Sequence, residues 1–193
     1  MDAVRRYRMD GGADFYTQLK FLQRNRLDSG AVRLGDMGTT ESNLDPAIKI
    51  FHLITSLEVG GEQHGLLINI QGMSKRNFRP IVCSVMDKVP MSGQFEQIGI
   101  PVHSLGLRGK YDPRVYWRLW RLLRRERPDI LHTHLIHANL LGRIIGRLAG
   151  VPAIVASEVT VGRPRRFGTL ANRLTNRLID RIETNAIAVQ QWL

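Results

Sequence analysis

From Ala47 onward the apolar positions of this chain fall into short, nearly unbroken runs. Residues 48–54, 79–85, 102–105, 129–134, 153–157 and 186–189 each read as a buried strand of a parallel sheet. Stretches of helical character separate them. Residues 62–74 follow Gly60 and Gly61, and residues 92–98 end at Gly99. Residues 113–127 open with Asp112 as N-cap and Pro113 at the first helical position, and they stop before Pro128. Residues 137–148 end at Gly150 with Pro152 beyond, and residues 168–179 form the last helix. Strands alternating with helices predict an α/β fold, a doubly wound Rossmann-like parallel sheet with helices on both faces. Ligands of such sheets bind beyond the carboxyl ends of the strands.

Residues 1–46 lack a sustained period. They hold Gly11-Gly12, Asp28-Ser29-Gly30 and a polar run over 35–43, with only 15–27 fit for a short helix. The expected organisation is therefore a flexible extension and linker over 1–46 and one folded domain over 47–193.

Composition narrows the class. Hydrophobic residues at 43% and charged residues at 23% of 193 describe a globular chain. No run approaches the roughly 18 apolar residues of a membrane-spanning helix, and the start has no apolar run of a secretory signal. The single cysteine, Cys83, excludes an internal disulfide or a cysteine-rich zinc site, and it reads as a small core residue. The expected location is cytoplasmic.

The net charge of +11 is unevenly placed. Residues 1–46 are balanced, seven basic against seven acidic, so the whole excess lies in 47–193. Such a field attracts phosphorylated ligands, anionic lipid or nucleic acid, although no nucleic-acid motif appears. The helix over 113–127 concentrates this charge beside tryptophans. Trp117, Arg118, Arg121 and Arg125 are candidates for contact with an anionic membrane surface, Trp120 lying among them. A solvated helix with arginine stems covering its apolar edge fits the same residues.

Candidate chemistry gathers after the strands. Gly60-Gly61-Glu62 stands between the first strand and its helix, where glycines let a ligand approach backbone N–H groups. It is not the G-x-G-x-x-G dinucleotide fingerprint. After the fourth strand come His132, His134 and His137; His132 and His134 alternate, so they share a face. Histidines at a strand-to-helix junction suit general bases or metal ligands. No carboxylate or cysteine nearby in sequence completes a first shell, so no metal is expected. Each histidine also fits a structural role, His132 above all. The loop after the fifth strand carries Glu158 and Arg163, a candidate polar-ligand site.

An ordered series of motifs resembles family-four glycosyltransferases of the GT-B architecture. It runs from Ile50-Phe51-His52-Leu53-Ile54-Thr55-Ser56-Leu57-Glu58-Val59-Gly60-Gly61 through Gly99-Ile100-Pro101-Val102-His103-Ser104-Leu105. It continues with Leu122-Leu123-Arg124-Arg125-Glu126-Arg127-Pro128-Asp129-Ile130-Leu131-His132-Thr133-His134, then Ala138-Asn139 and Ala149-Gly150-Val151-Pro152. The resemblance implies one half of a two-domain enzyme, the acceptor side of a cleft for retaining transfer from a nucleotide-sugar. His134, then His137, would belong to the reaction centre. Gly60, Gly61 and Glu62 would lie near the donor phosphates, and Glu158 and Arg163 would touch the acceptor. No metal or other cofactor is implied beyond the nucleotide-sugar co-substrate. The acceptor would be a carbohydrate, lipid or small molecule, and several members dock on membranes. The chain ends at Leu193 soon after the sixth strand, so a donor domain or partner chain is expected to be missing and the chain inactive alone. The alternative expectation is a non-catalytic, basic module that binds anions or a membrane surface.

Overall fold

The computed structural model describes residues 47–73, 77–87, 90–107, 112–157 and 175–183. Among them the element order is β1 (Ile48–Ile54), α1 (Gly61–Met73), β2 (Phe78–Ser84), α2 (Ser92–Gln97), β3 (Val102–Ser104), α3 (Arg114–Glu126), β4 (Ile130–His134), α4 (Ile136–Leu148), β5 (Ala153–Ser157), a 3₁₀ turn (Asn176–Leu178) and β6 (Arg181–Glu183). The six strands are parallel and ordered β3-β2-β1-β4-β5-β6. This is the doubly wound arrangement, with the order reversing between β1 and β4.

Two apolar layers cover the sheet. Ile50, Ile54, Val82 and Val155 meet Leu66, Ile70 and Met73 of α1 and Phe95 of α2 on one face. Phe51, Leu53, Leu131 and Ile154 meet Leu119 and Leu123 of α3 and Leu141 and Ile145 of α4 on the other. Cys83 lies fully buried in this second layer, and burial pushes its thiol well up from the ordinary range. It is a core residue, as its apolar surroundings in sequence suggest.

The helix boundaries follow local rules. Asp112 Oδ1 accepts the Arg114 N–H at 3.0 Å, and Arg127 closes α3 in a left-handed conformation before Pro128. Gly150, with φ +77, turns the chain out of α4 toward β5. Helix α4 sits unusually close to the sheet because Gly142 and Gly146 face it. A Cβ on Gly146 would stand 2.6 Å from Leu131 Cδ2.

The strands are stitched at their amino ends by one device used twice. Asp129, just before β4, accepts the N–H of Lys49 in β1 at 2.8 Å. Asp180, just before β6, accepts the N–H of Ile154 in β5 at 2.8 Å and also pairs with Arg147 at 2.7 Å.

The last part of the chain differs from its sequence pattern. Strand β6 forms at Arg181–Glu183, where alternating charge hides a short strand. The run over 186–189, most of the helix over 168–179 and the extension over 1–46 lie outside the described residues.

Candidate functional site

Parallel register brings the polar residues of β1 and β4 onto one row. His52 stands opposite His132, and Ile54 opposite His134. Side chains alternate along a strand, so all three imidazoles project from the α1 face. His52 thus occupies a position in β1 where Ile48, Ile50 and Ile54 otherwise form the core. Ring centroids lie 4.2 Å apart for His132 and His134, 5.3 Å for His52 and His132, and 5.5 Å for His52 and His134.

Two carboxylates from distant elements close the cluster. Glu62, in the first turn of α1, accepts from His134 Nδ1 at 2.8 Å. Glu183, in β6, lies 3.0 Å from His132 Nε2. The sequence shows no carboxylate near these histidines; the fold supplies two, from 72 residues upstream of His134 and from the last described strand. With its Nδ1 proton directed to Glu62, His134 presents Nε2 as an acceptor. His52 Nδ1 meets that atom at 3.2 Å. His52 Nε2 is buried with no hydrogen-bond partner.

Burial depresses the protonation of two of the histidines. It holds His52 well below the ordinary imidazole value of 6.5, reinforced by the charges of His132 and His134. It also lowers His134, with His132 adding to the effect and Glu62 offsetting only part of it. For Glu62 burial acts upward, but the hydrogen bond from His134 and the nearby histidine charges outweigh it and hold the carboxyl below its usual value. Glu183 behaves alike: burial raises it, and the His132 hydrogen bond and charge bring it down.

The backbone after β4 is strained where it leaves the cluster. Leu135 has φ 70 and ψ 154, a region almost reserved for glycine that costs about 1–3 kcal/mol. The turn is fixed by its neighbours. Ala138 N–H donates to Thr55 Oγ1 at 3.2 Å, and buried Asn139 donates through Nδ2 to the Ser157 carbonyl at 3.0 Å. Ala138-Asn139 therefore ties the carboxyl ends of β1 and β5 to the start of α4.

The remaining sequence candidates separate. His137 is exposed in the first turn of α4 and stands apart from the triad; its place is taken by His52. Gly61 opens α1 with space where a side chain would be, and the Gly60 carbonyl accepts the N–H of His64 at 3.1 Å. Glu158 and Arg163 lie outside the described residues. On α3, Tyr116, Trp117 and Trp120 are 52%, 57% and 39% exposed, and the Arg121 guanidinium lies 5.2 Å from the Trp117 ring centre. Arg118 turns toward the sheet edge and donates to the Leu105 carbonyl at 2.7 Å, whereas Arg125 is exposed and pairs with Glu126 at 2.9 Å. No helix among the described residues is long and apolar enough to cross a membrane.

His52 and Glu183 are site residues that sequence reasoning missed. For His52 the available signal was a histidine at the centre of an otherwise apolar strand; for Glu183 there was none.

Comparison with known proteins bears on the fold and the family. Residues 71–190 match the glycosyl transferase 4-like domain. A segment of 37 residues is 54% identical to the UDP-Gal:alpha-D-GlcNAc-diphosphoundecaprenol alpha-1,3-galactosyltransferase of Escherichia coli, covering 19% of this chain and 10% of that protein. The fold resembles Anabaena Alr3699/HepE in complex with UDP, at TM-score 0.60 and 20% identity over 75% of this chain and 39% of that one. It also resembles MurG of Acinetobacter baumannii, at TM-score 0.55 and 12% identity over 71% and 40%. A UDP-N-acetylglucosamine 2-epimerase of Rickettsia bellii gives TM-score 0.53 and 14% identity over 76% and 42%. The chain thus spans well under half the length of these proteins.

Proposed function

The chain belongs to the glycosyl transferase 4-like family, and from that premise we propose that it forms the acceptor side of a cleft for sugar transfer from a nucleotide-sugar donor. One observation carries the reading. The strand order reverses between β1 and β4, and the Glu62–His134 pair sits at the carboxyl ends there, where ligands of doubly wound sheets bind. His134 forms the floor of the reaction centre, oriented by Glu62. The turn before α1, open at Gly61, offers backbone N–H groups to the donor phosphates. His137, exposed in the first turn of α4, faces the acceptor. A second domain, in the same polypeptide or a partner, holds the rest of the nucleotide-sugar, and transfer retains the anomeric configuration. The UDP-containing Anabaena structure and the galactosyltransferase segment support a uridine nucleotide donor.

The test is turnover of UDP-sugars by an assembly that includes both halves. His134→Gln, which keeps a polar group in the buried slot, is expected to lower kcat by about 100-fold or more while leaving thermal unfolding cooperative. Alanine is unsuitable, because it would strand Glu62 in a buried site. Near-normal turnover of the glutamine variant overturns the assignment.

The exposed face of α3 favours a second reading, docking on the anionic cytoplasmic surface of a membrane, with or without catalysis. Aromatic rings with arginines between them suit the head-group layer. Anionic vesicles are expected to carry the chain in flotation, and added salt to release it. Replacing Trp117 and Trp120 together by serine is expected to weaken flotation; unchanged flotation of that variant removes α3 from the interface.

A further inference from the structure

His134 has no ring nitrogen to spare for a ligand. The Glu62 carboxyl is held below its usual value, so it is ionised at neutral pH and its oxygens only accept. The proton between them, across 2.8 Å, therefore sits on His134 Nδ1. Burial keeps His134 neutral, which leaves its Nε2 bare. His52 Nδ1, 3.2 Å away, must then carry a proton and donate it to that atom. His52 is also kept neutral, so its own Nε2 is bare, and this is the nitrogen that lies buried without a hydrogen-bond partner. The three side chains form a one-way chain of hydrogen bonds, from His52 through His134 to Glu62. The unmet lone pair at its start costs stability, and what that cost secures is an N–H aimed at His134.

Solvent reaches the far end of this chain. The Glu62 side chain is 13% exposed, against 4% for His134 and none for His52. Oε1 takes the His134 bond, and Oε2 makes no hydrogen bond among the described residues. Glu62 stands in the first turn of α1, next to Gly61, where the positive end of the helix favours its charge. A donor whose phosphates lie on the N–H groups of that turn brings the sugar it carries to the same place. Phosphate and carboxylate repel, so the group that Oε2 accepts from is a neutral hydroxyl. We propose that Glu62 is a specificity residue of this half of the cleft, accepting a hydrogen bond from a hydroxyl of the donor sugar through Oε2, and that His52 is a positioning residue that acts through His134 to fix Oε1. The inference rests on the transfer reading and deepens it. His134 supports the floor from beneath, and Glu62 is the group that the sugar meets. No proton changes hands; the carboxylate stays ionised and orients the sugar.

The test separates the sugar from the nucleotide. Binding of UDP, UDP-glucose and UDP-galactose to the assembly of both halves is measured by calorimetry. Glu62→Gln, which can still accept from His134, is expected to weaken the better-bound UDP-sugar about 10-fold and to leave UDP no weaker. An equal loss for UDP and UDP-sugar, or no loss for either, overturns the sugar contact while the transfer reading stands. A wild-type assembly that binds no UDP-sugar overturns both. For His52, long-range nitrogen–proton NMR of the 193-residue chain reads the tautomers directly. His52 and His134 are both expected to carry their proton on Nδ1 at neutral pH, with His134 Nε2 shifted as a hydrogen-bonded acceptor. His52→Asn, which keeps an N–H at nearly the same place, is expected to retain that shift and the UDP-sugar affinity. His52→Leu is expected to lose the shift and about 10-fold in UDP-sugar affinity, with UDP binding intact. Asparagine and leucine variants that behave alike overturn the positioning role. Should His52→Leu fail to fold, the wild-type tautomers decide: a His134 protonated on Nε2 overturns the chain, and one protonated on Nδ1 with an acceptor Nε2 supports it.

Discussion

Glu62 and His134 are joined across 72 residues of sequence, and both are largely withdrawn from water. Burial of the imidazoles, together with the hold of the bond on Glu62, makes stability a function of pH. His52 and His134 have folded values below 6.5, so the unfolded chain binds their protons more readily. Stability is complete above that value and falls as pH drops through it. Glu62 and Glu183, lowered below 4.5, add a further loss once pH falls through their ordinary range. Urea unfolding with chelator present is expected to show a midpoint that declines in two stages on acidification. A midpoint constant from neutral pH to the carboxylate range contradicts the buried network. At this scale the sequence was only partly legible. The alternation of His132 and His134 disclosed a shared face, but Glu62, Glu183 and His52 reach that face through the fold, and no local spacing announces them.

Helix α4 shows how an element can be positioned by what it lacks. Gly142 faces Thr133, and a Cβ there would collide with Thr133 Cγ2 and come to 3.2 Å from Leu53 Cδ2. Thr133 cannot swing aside freely, since its hydroxyl donates to the Val155 carbonyl at 3.2 Å and its branched Cβ restricts rotation. Gly142→Ala gains about 1 kcal/mol in helix preference. Overpacking against β4 costs about 1–3 kcal/mol. Net destabilisation is expected in urea unfolding, together with broadened signals from the histidine cluster; a variant more stable than wild type overturns the packing account. Most elements were legible in the sequence because their caps were written locally, in Asp112, Gly99 and Gly150. Strand β6 was not, because Arg181 and Glu183 interrupt the apolar pattern in a three-residue edge strand.

Across the whole molecule the two ends of the sheet have different duties. The amino ends are fastened by Asp129 and Asp180, while the carboxyl ends carry the histidines, the strained Leu135 and the turn that is open at Gly61. Substitutions at the carboxyl ends are therefore expected to alter ligand binding more than the strand pairing beneath. The histidine cluster also straddles the join between the two halves of the sheet: His52 and Glu62 come from the first half, and His132, His134 and Glu183 from the second. Contacts spanning 82 residues form late, because long chain loops must close before they are rewarded. In folding terms the cluster is a completion signal. After dilution from urea, helical ellipticity is expected to recover first and the native imidazole resonances only with the slowest phase, so these rings report the moment at which two half-sheets become one.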